Sequence, residues 1–199
     1  MKLLFVNCCI SQRGGASRTR ALAEAFLTAF QAAHPGSSSK IQEVTPETLL
    51  ALKPFDVEML NRRDALAAEK AFDAPVYALA RQFREADAVA VAAPFWDLSY
   101  PAALRTYIEY ISANGLTYHY DEAGCHGDCV AKHLVYLTSG GDVEREDSAG
   151  VLHWRQLSAM FGIPQFDYVF AGGLDARPES AEETLTAACR LAAALAETL

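Results

Sequence analysis

No apolar run in this chain approaches the roughly eighteen residues that a membrane span needs. No basic start leads into an apolar stretch with a small-residue cleavage site, so neither a signal peptide nor a membrane partner is expected. Cysteine is scarce and odd in number: Cys8, Cys9, Cys125, Cys129 and Cys189. Irregular spacing makes these a poor disulfide framework and points to a reducing cytoplasm. Positive charge is in deficit, with 17 Lys and Arg against 25 Asp and Glu, a formal charge of −8 at pH 7. That argues against nucleic acid or an anionic membrane as the main partner, although a local site can still hold a small anion. Several phosphate and nucleophile signatures are missing. There is no G-x-x-x-x-G-K-[ST] and no G-x-G-x-x-G, which argues against nucleoside triphosphate hydrolysis and the usual dinucleotide fingerprint. There is no G-x-S-x-G elbow for a hydrolase and no C-x5-R phosphate loop. No repeat, linker or low-complexity segment divides the 199 residues. Half hydrophobic and a fifth charged, the chain fits one globular α/β domain over 1–199.

What is present is organised around residues 88–110, AVAVAAPFWDLSYPAALRTYIEY. The run 88–93 has no polar alternation, as in a strand covered on both faces of a parallel sheet. Pro94 stops it. Phe95, Trp96, Asp97, Leu98, Ser99 and Tyr100 then place three aromatics and one acid in a loop. Pro101 stands where a helix begins, and Leu104, Tyr107, Ile108 and Ile111 recur at helical spacing. Two aromatics alone are more often core than ligand platform. Placed after a strand, beside Pro94, they favour a flat ligand.

The chain opens in the same way. Residues 2–9 read as a buried first strand, and a helix runs from Ala21 to about His34. Between them lies ISQRGGASRTR, a loop without apolar periodicity. Helix starts bind anions through free N–H groups and the helix dipole. Ser11, Ser17 and Thr19 add hydroxyls, Gly14 and Gly15 permit close approach, and Arg13 and Arg18 offer charge-assisted bonds. The plainer reading is Ser17 as a helix cap on a solvated loop.

Further strands are expected at 40–45, 131–138 and 166–171, with helices at 47–52, 56–71, 75–86, 151–161 and 178–199. Residues 115–130 form an extension carrying a short hairpin. Arg62 and Arg63 read as a solvated face. Cys125 and Cys129, with His119, His126 and His133 nearby, are too few for a closed zinc site, and no metal is expected. The alternation of strand and helix means a three-layer α/β sandwich with helices on both faces of a five-stranded parallel sheet. We adopt the order 2-1-3-4-5, whose switch point lies between the first and third strands. Both loops singled out above follow those two strands.

In their order and spacing these segments resemble the flavodoxin-like NAD(P)H-dependent FMN oxidoreductases, the FMN-dependent azoreductases and NAD(P)H:quinone reductases. The resemblance spans nearly the whole chain. It rests on the loop 11–19, the segment Ala93-Pro94-Phe95-Trp96-Asp97-Leu98, the helix 104–111, Gly115-Leu116-Thr117-Tyr118, and Thr138-Ser139-Gly140-Gly141. It implies that Ser11, Ser17, Arg18 and Thr19 hold the FMN phosphate. Pro94, Phe95, Trp96, Asp97 and Leu98 would lie along the ribityl chain and one side of the ring. Ser139, Gly140 and Gly141 would approach the ring edge, where backbone N–H groups stabilise negative charge. No side chain need act as acid or base, because flavin N5 carries the hydride from NADH or NADPH to a small-molecule acceptor. The family is usually homodimeric, and Tyr118 and Tyr120 of the extension would form a substrate or partner wall.

Two departures bear on specificity. Trp96-Asp97 replaces a Tyr-Asn pair of some relatives, and Asp142 follows Ser139-Gly140-Gly141 where many carry an arginine. Two other function classes stand beside the enzyme: an FMN-binding electron carrier or regulator without turnover, and a flavin-free hydrolase or phosphatase.

Overall fold

The structure, a computed structural model, describes residues 1–11, 16–36, 40–142 and 148–199. The chain opens with β1 (Lys2–Asn7), α1 (Arg18–Ala33), β2 (Lys40–Val44) and α2 (Pro46–Ala51). Then α3 (Val57–Ala68), a 3-10 turn at Pro75–Tyr77 and α4 (Ala78–Arg84) lead to β3 (Ala88–Ala92) and α5 (Ala102–Ile111). A hairpin of β4 (Tyr118–Asp121) and β5 (Gly124–Gly127) precedes β6 (His133–Ser139), α6 (Ala149–Met160), β7 (Gln165–Ala171) and α7 (Ala181–Glu197).

The main sheet has the order β2-β1-β3-β6-β7, and every pairing in it is parallel. With β6 and β7 as the fourth and fifth core strands, this is the expected 2-1-3-4-5. All five residues of β3 and all seven of β6 are buried, which explains why both lack polar alternation. Successive side chains leave opposite faces of a strand. Leu4, Val6, Val89, Val91 and Tyr136 therefore pack with Leu104, Tyr107 and Trp154 of α5 and α6. Leu3, Phe5, Ala90, Val135 and Leu137 pack with Leu22, Phe26 and Ala192 of α1 and α7. Two apolar layers thus hold the strand ends level.

Three differences from the sequence pattern matter below. Helix α1 starts three residues before its apolar periodicity does. Ser17 caps it, its hydroxyl accepting from the Arg20 N–H at 3.4 Å, so Arg18, Thr19 and Arg20 form the first turn. The closing helix begins as a 3-10 turn at Pro178–Ser180 before α7. Arg63 is not a solvated arginine. Its guanidinium donates to the carbonyls of Glu109 (3.1 Å) and Ser112 (3.2 Å) and lies 4.4 Å from the Phe55 ring centre. The last carbonyls of α5 have no partner within their own helix, and a cation at that end satisfies them.

The hairpin stands outside the main sheet, as expected for 115–130, with His119 opposite His126. It is anchored at its far end. A Cβ added to Gly127 would lie 1.9 Å from the Gly162 nitrogen, so the backbone crosses the α6–β7 turn where only glycine fits.

Candidate functional site

Backbone pairing continues past the strand ends and draws four loops together. The N–H of Cys8 donates to Ala92 O (2.7 Å), Phe95 to Ser139 O (2.9 Å) and Gly140 to Ala171 O (2.9 Å). Between these loops lies a cavity of about 210 Å³. It sits outside the carboxyl ends of β1, β3, β6 and β7, where open α/β sheets place their ligands.

One end is polar. Ser11, Ser17 and Arg18 line it, at the first turn of α1, whose amides a helix leaves without backbone partners of its own. Thr19 also lines the cavity but is buried, and its hydroxyl sits 2.6 Å from that of Ser139. The two hydroxyls satisfy each other across 120 residues of chain. Arg18 pairs with Asp175 at 2.7 Å. Arg13, Gly14 and Gly15 lie outside the described residues.

The other end is aromatic. Pro94, Phe95 and Trp96 line it, with Trp96 42% exposed. Trp96 and Ser99 exchange backbone bonds of 3.3 and 2.8 Å. The two residues between them, Asp97 and Leu98, take φ of 50° and 63°. Positive φ at both centres is the mark of a tight I′-type turn, which favours Asn, Asp or Gly. Leu98 is the misfit, and it stands 74% exposed at the tip. Asp97 and Leu98 flank the cavity rather than line it.

Ser139, Gly140 and Gly141 form the third wall. A Cβ at Gly140 would meet Phe170 at 3.0 Å and Phe95 at 3.1 Å, and one at Gly141 would come within 2.2 Å of the Asp175 carboxylate. A side chain at Gly140 would press on both rings, and one at Gly141 would displace the Asp175 carboxylate. Gly141 O accepts from the N–H groups of Asp175 (3.0 Å) and Ala176 (2.9 Å), which holds the loop after β7 in place.

Behind the aromatic loop, Tyr100 is hydrogen-bonded to His153 Nδ1. Arg105 approaches His153 Nε2 at 3.5 Å. A guanidinium has only donors, so neutral His153 accepts at Nε2 and donates from Nδ1 to the Tyr100 oxygen. Burial, then the Arg105 charge, lowers the His153 pKa and favours that neutral form. Burial pushes the Tyr100 hydroxyl up to about 12. It likewise pushes the Cys8 and Cys9 thiols up to about 12, so neither is a thiolate nucleophile near neutral pH.

The cavity therefore gathers Ser11, Ser17, Arg18, Thr19, Pro94, Phe95, Trp96, Ser139, Gly140 and Gly141. It does not gather Tyr118 or Tyr120. Tyr118 lines a separate groove with Leu60, Arg63 and Tyr77, and Tyr120 is largely exposed on the hairpin. Among the described residues no three metal-ligating side chains converge. His119, His126 and His133 pair instead with Asp128, Asp121 and Asp167. Sequence reasoning missed Asp175. The only signal was Gly172-Gly173 after the fifth strand, which marked a turn and not the acid behind it.

A sequence profile described as a flavodoxin-like fold matches residues 1–195. An FMN-dependent NADH:quinone oxidoreductase of Clostridium acetobutylicum is 30% identical, with 92% of each chain covered. One from Bacillus thuringiensis is 33% identical, with 88% of each covered. Among solved structures, an azoreductase of Bacillus anthracis superposes with a TM-score of 0.86 at 28% identity, each chain covered in full.

Proposed function

The chain belongs to the flavodoxin-like family that includes FMN-dependent NADH:quinone oxidoreductases, and we infer that it is one of these enzymes. It binds FMN and moves hydride from NADH to a flat acceptor, a quinone or an azo compound. One observation carries this reading for the chain itself. The cleft at adjoining strand ends is hydroxylic at one end, where Arg18 also lies paired with Asp175, and aromatic at the other.

FMN, when bound, supplies the two-electron hydride chemistry that side chains lack. The protein supplies position and electrostatics. Ser11, Ser17 and Arg18 hold the phosphate with the first-turn amides of α1. Thr19 adds its amide, since its hydroxyl is engaged with Ser139. Pro94, Phe95 and Trp96 take the ribityl chain and one side of the ring, with Asp97 and Leu98 at the rim. Gly140 already gives its N–H to Ala171, which leaves the Gly141 amide for the ring edge, with Ser139 beside it. A donor there stabilises the negative charge that reduction brings. The cavity is small against the ~300–1,000 Å³ of usual ligand sites, so the exposed Trp96 and Leu98 would add apolar surface for the ring beyond it.

In the same reading the protein is a cytoplasmic homodimer that binds neither nucleic acid nor membrane. Supporting this are five unpaired cysteines, the charge of −8, and exposed Val57, Leu60, Leu98 and Tyr120. Tyr118 and Tyr120 then belong to the wall that a second copy or the acceptor meets. Light scattering of the purified protein tests the dimer.

The decisive experiment is optical. A purified protein that is yellow, bleaches with NADH without oxygen, and regains colour repeatedly with a quinone supports the enzyme. Bleaching without turnover supports the electron carrier. A protein that stays colourless after incubation with excess FMN and removal of the free flavin refutes both. Ser17→Ala removes one charge-assisted phosphate bond of about 1.5–3 kcal/mol and should raise the FMN Kd at least tenfold.

A further inference from the structure

Arg18 stands in the first turn of α1, where the helix dipole disfavours a cation. No acid in that turn offsets it. The compensating charge comes from 157 residues away, where Asp175 Oδ1 sits 2.7 Å from Arg18 Nη1. The carboxylate is seated by design of the backbone. Its other oxygen occupies the space that Gly141 leaves free, 2.2 Å from where a Cβ would be. The Asp175 N–H is bonded to Gly141 O at 3.0 Å. Arg18, Gly141 and Asp175 all line the cavity of the proposed cofactor.

The geometry points to Asp175 as a built-in competitor for Arg18, one that sets how tightly this chain holds the phosphate of its flavin. This rests on the FMN reading above and goes beyond it. A phosphate arriving at Ser11 and Ser17 carries up to two negative charges. It meets an arginine that has given one of its terminal nitrogens, Nη1, to a carboxylate, and that carboxylate repels it. The phosphate then gains less from the Arg18 charge than an unpaired arginine would give, and more from hydroxyls and amides. The pocket discriminates FMN from the same flavin without its phosphate less than its arginine suggests. FMN is held as an exchangeable cofactor.

Asp175 is 71% exposed and Arg18 38%, so the pair contributes little to the fold and Asp175→Asn should melt within a few degrees of the wild type. The test is flavin fluorescence titration of the full chain, freed of flavin, with FMN and with riboflavin, in both proteins. We expect Asp175→Asn to tighten FMN roughly tenfold and to leave riboflavin unchanged. In the wild type, FMN should exceed riboflavin in affinity by less than in the variant. Unchanged or weaker FMN binding in Asp175→Asn, with FMN still preferred to riboflavin, overturns the competitor role and makes Asp175 an orienting partner of Arg18. Equal binding of FMN and riboflavin in both proteins overturns the phosphate assignment itself, and this inference with it.

Discussion

The two ends of the cleft are built on opposite plans. The polar end is fixed from beneath: Thr19 is buried, its hydroxyl locked to Ser139, and Arg18 is tied to Asp175. The aromatic end is fixed at its base, through Phe95 N–H to Ser139 O and Tyr100 to His153, and by the Trp96–Ser99 backbone pair across its turn. Its working surface, Trp96 and Leu98, stands in solvent on a turn that Leu98 adopts at a cost. A site that must recognise one constant group profits from preorganised donors. A site that must admit acceptors of varied outline profits from exposed apolar surface on a short loop. The difference teaches that pairing between remote side chains is concentrated at the polar end, while the aromatic end leaves apolar surface in solvent.

Substitutions can break that contrast, and the largest effect belongs at the polar end. Thr19→Val keeps the shape and strands the Ser139 hydroxyl, so unfolding stability should fall by about 1–3 kcal/mol. Urea denaturation measures this, and the FMN Kd should rise with it. A loss below experimental error would mean that the hydroxyl pair holds nothing. Next comes the junction of the two ends. Gly140→Ala brings a methyl to about 3 Å from Phe95 and Phe170. Both rings can yield slightly, so the expected loss is about 1 kcal/mol. Turnover with quinone should suffer more than FMN affinity, because Phe95 moves and Ser17 does not. Equal damage to both would show that the ends are not independent. The smallest effect is at the aromatic tip. Leu98→Gly relieves the left-handed conformation and should raise stability by about 0.5–1 kcal/mol, or ~1–4 °C in Tm. The KM for the acceptor should rise as the apolar surface is lost. A lower Tm would remove the claim that Leu98 is strained.

Much of this was legible in the chain. The runs at 88–93 and 131–138 announced strands covered on both faces, because a buried parallel strand has no reason to alternate. The turn chemistry of 11–19 and 94–100 marked the two loops that the switch point brings together. Other features were hidden for definable reasons. Arg18, Thr19 and Arg20 show no apolar period, so the true start of α1 rested on Ser17 alone. Arg63 looked solvated because its partners are carbonyls, which carry no residue code. Asp175 was invisible as a partner of Arg18, since nothing local links residues 157 apart in the chain.

By itself the sequence determined the sandwich, the strand order and the two loops that line the cleft. Each depends on hydrophobic pattern and turn residues, which act over a few neighbours. Only the tertiary structure decided which hydroxyl is free and which is spent, which arginine is already paired, and which glycine makes room for a carboxylate. Those are properties of distance and burial between remote segments, and no local pattern encodes them.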